Sequence, residues 1–151
     1  MKYTHRTSRG IATLPTVMIL GVVTLAIAVS IATVSLTESF ISVGGAQSSK
    51  ALVYAEAGAR DALVRIARNK NYTCSATDCY TIDMATNGCA TTLLGCAKVS
   101  VSTGVGTAGD PKIVTSKGQS QASTRTLNVS VIFDSIAIGT IATTTWSENT
   151  N

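Results

Sequence analysis

The sequence predicts an α+β protein in which one long N-terminal helix, apolar first and amphipathic later, packs on a small C-terminal antiparallel β-sheet. Three observations carry this prediction. The 26 residues from Ile11 to Leu36 contain no Asp, Glu, Lys, Arg or His, apolar positions recur at helical spacing from Leu52 to Ile66, and "TLNVSVIF" at 126–133 alternates with a period of two. The first pattern fits a helix long enough to cross a bilayer, the second a helix with one covered face, and the third a strand with one buried face.

Residues 1–10 form a basic leader, with Lys2, Arg6 and Arg9 ahead of Gly10. The apolar run of 11–36 follows directly, and Glu38 is the first charge beyond it. About 20 apolar residues span the hydrocarbon core, so this run crosses it with tilt. Positive flanking charge holds the leader in the cytoplasm and places Thr37 onward outside. The whole chain is 45% hydrophobic and only 13% charged, with a net charge of +4. Setting aside the three leader cations leaves nine basic side chains against eight acidic ones, which gives no basis for expecting a nucleic-acid partner.

Residues 37–70 continue the helix without proline. Leu52, Ala55, Ala59, Leu63 and Ile66 trace one apolar stripe, while Glu56 with Arg60 and Asp61 with Arg65 are i,i+4 pairs on the solvated side. As one helix, 11–69 would be about 90 Å long, three times the hydrocarbon thickness. Gly44-Gly45 is the expected bend or melting point, since glycine weakens a helix interior by about 1 kcal/mol.

Residues 71–151 are expected to form a disulfide-containing sheet of about four strands. "AKVSV" at 97–101 and "PKIVTS" at 111–116 flank the Gly-rich loop "STGVGTAGD", and "TLNVSVIF" is followed by "SIAIGTIATTTW" as a hairpin partner. Cys74, Cys79, Cys89 and Cys96 all lie in the exported part. The chain has no C-x-x-C pair and a single histidine, His5 in the leader, so disulfides fit better than a zinc site. Three pairings are open. Joining Cys74 to Cys79 and Cys89 to Cys96 encloses short loops, and nested pairing stays open. In so small a sheet each bridge contributes about 2 to 3 kcal/mol.

Together, "SRG", the apolar "IATLPTVMILGVV" directly after it, the helical "VYAEAGARDALVRIARNKNY" and the late "IVTSKGQSQASTRTLNVSV" resemble type IV pilin-like proteins, of the minor-pilin or pseudopilin type. The resemblance implies a class III leader cut between Gly10 and Ile11 by a prepilin peptidase, with methylation of the new Ile11 amino terminus. It also implies a precursor in the cytoplasmic membrane, inner-membrane assembly machinery, other pilin subunits as partners, and an extracellular pilus or pseudopilus as the product. Glutamate is usual at the fifth mature residue of that family; Pro15 stands there in this chain. Proline is tolerated in a first helical turn but supplies no negative charge. Some tip-located members also lack the glutamate.

The small residues Gly21, Ala26, Ala28 and Ala32 would let such helices approach closely. Neither catalysis nor a cofactor is expected. The exported part lacks histidine, a G-x-S-x-G elbow and a P-loop. Asn71-Tyr72-Thr73 and Asn128-Val129-Ser130 match the glycosylation acceptor pattern, which is common by chance. The competing expectation is a secreted or membrane-anchored binding module. Ala26-x-Ala28 satisfies an ordinary signal peptidase and would make Val29 the mature start.

Overall fold

The computed structural model describes residues 13–90, 94–135 and 139–149. Helix α1 (Thr13–Arg68) is followed by five strands: β1 (Tyr80–Asp83), β2 (Cys96–Val101), β3 (Lys112–Ser120), β4 (Ser123–Phe133) and β5 (Ile141–Asn149). The chain divides into two units, Met1–Ser42 and Val43–Asn151, and α1 contributes to both.

Helix α1 starts without an acidic side chain in its first turn and ends with Arg65 and Arg68 in its last, where cations meet the negative end of the helix dipole. Beyond it, Asn69 turns the chain. Its carbonyl accepts the Tyr72 N–H at 2.8 Å and its Oδ1 accepts the Asn71 N–H at 3.0 Å. The expected melting at Gly44-Gly45 does not occur, because α1 is helical through both glycines. Contacts just downstream hold the helix there. The Ser49 hydroxyl donates to the Gly45 carbonyl at 3.0 Å, Gln47 bonds Gln121, and Arg125 Nε donates to Ser48 Oγ at 2.8 Å.

The second unit is a helix-covered meander. Its strands lie in the order β1-β2-β3-β4-β5, every neighbouring pair antiparallel. That is one strand more than the sequence suggests, the addition being the four-residue β1. The last strand also begins later than expected, at Ile141. Before it, the Asp134 N–H donates to the Thr140 carbonyl at 3.0 Å, and the β4–β5 register shifts at Ile132/Phe133.

Alternation puts Val99 and Val101 of β2, Val114 and Ser116 of β3, and Leu127, Val129, Val131 and Phe133 of β4 on the buried face. Each large apolar side chain in this core contributes about 1.5 to 3 kcal/mol by leaving water. The helix stripe that covers them is Ala51, Ala55, Gly58, Ala59, Ala62 and Ile66, all buried. It is shifted from the expected one. Leu52 and Leu63 are only half-buried at its sides, because from Ala51 to Ala62 the helix backbone lies so close to the sheet that alanine and glycine fill the space, and a large side chain, Ile66, enters the core only at the last turn. Gly118 of β3 sets that distance: a Cβ there would run into the Ala51 carbonyl oxygen and the Ala55 nitrogen. Gly106 is a second position closed to side chains. Its φ is +82°, and a Cβ would strike the Phe133 ring.

Disulfides join Cys74 to Cys79 and Cys89 to Cys96. Both loops hang on the same strand. Cys74 exchanges two backbone hydrogen bonds with Val101 at the end of β2, and Cys96 opens β2 opposite Asp83 of β1. Loops this short restrict the unfolded chain modestly, so replacing Cys74 and Cys79 together by serine is expected to cost about 2 kcal/mol. A urea titration followed by the fluorescence of Trp146 would measure it.

Candidate functional site

The surface that sets this chain apart is the first part of α1. From Leu14 to Ala46 every side chain is exposed. Sixteen of these are large hydrophobics, from Leu14 at 68% to Val43 at 52%, and the best window has a mean hydropathy of 2.6. At about 2 kcal/mol each, leaving them in water would cost of order 30 kcal/mol, more than the net stability of a typical domain. The segment therefore requires lipid or another apolar surface.

Its polar side chains are adapted to such surroundings. The Thr24 hydroxyl donates to the Leu20 and Gly21 carbonyls at 3.0 and 2.9 Å, Ser30 to Ala26 at 2.8 Å, Thr33 to Ser30 at 2.8 Å and Thr37 to Val34 at 2.8 Å. Hydroxyls bonded to their own helix place no unsatisfied donor in hydrocarbon. Helical periodicity aligns Gly21, Ala28 and Ala32 on one face, all exposed. Ala26 lies well round the helix from them, so the four small residues do not make a single seam. Pro15 is helical and exposed near the start of α1, where its missing N–H costs no internal hydrogen bond. Gly10 and Ile11 lie outside the described residues.

The second unit carries polar side chains in pairs. Arg60 bonds Glu56 at 2.8 Å and lies 5.8 Å from the Trp146 ring centre, and Arg125 bonds Glu148 at 2.8 Å. Asp78 lies between Lys98 and Lys117, at 3.5 and 3.9 Å. Exposed pairs of this kind contribute about 0 to 1 kcal/mol each. Asp61 bonds Arg65 at 2.7 Å, and the Arg65 guanidinium lies 4.4 Å from the Tyr80 ring centre. Glu56 and Asp61 thus each face an arginine. Asn128 turns its Oδ1 to the Thr115 hydroxyl at 2.9 Å. Among the described residues no cluster of three or more His, Cys, Asp or Glu side chains could hold a metal ion.

Lys112 and Tyr80 of this unit have pKa values shifted by burial, with opposite consequences. Burial lowers the Lys112 pKa from 10.5, with Asp110 opposing the shift. Burial, then the Asp61 charge, raises the Tyr80 pKa above its usual 10.0. Below 10.5 the unfolded chain holds the Lys112 proton more tightly than the folded one, so stability rises as pH climbs toward that value. Tyr80 acts the other way. Its contribution is complete below 10.0 and is lost above it, as the unfolded phenol ionises first. The urea midpoint is therefore expected to rise as pH approaches 10.5 through the Lys112 contribution, and the Tyr80 contribution to fall away above 10.0. Lys112→Met should abolish the rise and Tyr80→Phe should reduce the fall.

No family model, no curated protein and no solved structure matches the chain. The fold and the exposed apolar helix are the grounds for a functional assignment.

Proposed function

We propose that this chain is a structural subunit of a type IV pilus or pseudopilus. Its precursor sits in the cytoplasmic membrane with residues 1–10 inside. A prepilin peptidase cuts between Gly10 and Ile11, the Ile11 amino group is methylated, and inner-membrane machinery passes the subunit into a filament of pilin subunits. The observation that carries the proposal is the fully exposed, uncharged stretch of α1 from Leu14 to Leu36, in the same helix whose later residues form the core of a disulfide-bonded meander.

The energetics of transfer support it. In the bilayer the stretch is solvated by lipid, and it can leave only where sister helices replace that lipid. Hydroxyls already bonded within the helix suit both surroundings. Pro15 takes part without a charge, so attraction between a carboxylate at the fifth mature position and a neighbouring amino terminus is not part of this assembly.

An ordinary signal peptidase cut after Ala28 would leave Val29, Ile31, Val34, Leu36, Phe40 and Ile41 on the secreted product, all exposed in the structure. Such a product would self-associate or bind lipid. Amino-terminal sequencing with intact mass on the surface-exposed protein separates the outcomes. The proposal expects an Ile11 start carrying one methyl group, and a Gly10→Val variant that stays unprocessed in the membrane. A Val29 start would replace the proposal with the secreted module, and an unprocessed Met1 start would leave a simple membrane anchor.

A further inference from the structure

One group in the meander is not explained by packing. Lys112 is the bulkiest fully buried side chain among the described residues, 2% exposed, and stands on the core face of β3 in line with Val114 and Ser116. Its Nζ donates to the Tyr72 carbonyl at 3.2 Å. None of the ion pairs among the described residues includes it. An ammonium has three protons to donate, and a single neutral carbonyl leaves its charge uncompensated at contact distance. Asp110 acts on it through space without forming an ion pair with it, and accepts the Val105 N–H at 3.1 Å.

Beside Lys112 lies a cavity of about 160 Å³, room for about five water molecules. Asn71, Thr73 and Thr103 line it with hydrogen-bonding groups, Val105 and Phe133 with apolar surface, and Lys70 also borders it; among the described residues no acidic side chain contributes to its wall. We propose that this cavity is a binding site for a small carboxylate, its oxygens held by the Lys112 ammonium and the neighbouring polar groups, its carbon tail against Phe133 and Val105. The mixed wall favours a carbon-bearing monoanion over an inorganic ion, which would leave the apolar side unused. The carboxylate can come from a free organic acid or from a glutamate side chain of another polypeptide.

The test is an NMR titration of the full chain in detergent micelles with propionate, against chloride at equal ionic strength. Saturable shifts are expected in the amides of residues 71–73 and 103–105, with none from chloride. Lys112→Met and, independently, Thr73→Val should each weaken binding, the former about tenfold or more, while Lys117→Met on the opposite sheet face should not. N-acetylglutamate α-amide distinguishes the sources. Markedly tighter binding than propionate assigns the site to a protein side chain, and equal or weaker binding assigns it to a free acid. Shifts that fail to saturate, or that persist in a folded Lys112→Met protein, would overturn the proposal.

Discussion

Gly118→Val is expected to cost the helix-and-sheet unit at least about 3 kcal/mol and to shift its urea midpoint far more than any surface change. The reason is what the new Cβ would meet. Two of its nearest neighbours are backbone atoms of α1, the Ala51 carbonyl oxygen and the Ala55 nitrogen, which have no rotamer to change. Relief requires moving the helix outward over β3. That would open gaps above Val99, Val114 and Val129, whose packing depends on the close alanine stripe. A domain with a total stability of about 5 to 15 kcal/mol has little left after such a loss. Gly109→Val provides the control, because nothing lies within 4 Å of a Cβ there. It should change stability by no more than about 0.5 kcal/mol. Equal midpoints for the two variants would contradict the close approach of α1 to β3.

Ala28→Arg is expected to abolish surface filaments while leaving the protein in the membrane fraction. One arginine near the middle of a membrane helix costs about 2.5 to 3.5 kcal/mol, which the surrounding leucine, isoleucine and valine can offset during insertion. Packing against sister helices is less forgiving. Gly21, Ala28 and Ala32 share a face, and a guanidinium between closely packed helices would be buried without a partner. Ala28→Ser keeps the small size and can bond its own helix as Ser30 does, so it should retain filaments. Filament loss in both variants would point to a defect other than helix packing, and filaments in both would count against the proposed assembly.

How far these features were legible in the sequence depended on how strongly each pattern differs from its surroundings. The uncharged run of 11–36 and the alternation of 126–133 are unambiguous, because a missing charge over 26 residues and a strict period of two have few other causes. The short β1 was hidden. Tyr80–Asp83 has only four residues between two disulfide loops and becomes a strand by pairing with β2. Of the helix stripe, Ala55, Ala59 and Ile66 are buried as expected, whereas Leu52 and Leu63 stand one position from the buried Ala51 and Ala62, because leucine dominates a hydropathy pattern while the closest contacts belong to alanine and glycine. β3 extends to Ser120, beyond the expected Ser116, since Lys117, Gly118 and Gln119 carry no strand signal of their own. Lys112 could be placed on the core face only once the register of β3 was known. For the apolar helix as a site the sequence was enough, as exposure follows from composition; the chemistry at Gly10 and Ile11 rests on resemblance alone.

What connects these observations is a division of labour within α1. Its later turns are covered by a valine sheet and need no partner, while its earlier turns leave sixteen large hydrophobics uncovered and need one. Image reconstruction of material sheared from the cell surface tests the central claim most directly. The account predicts a filament whose centre is a bundle of helices from many copies of this chain, traced through Leu14 to Val43, with the meanders outside. A dispersed, soluble protein in that fraction, or a filament whose central bundle excludes these residues, would contradict it.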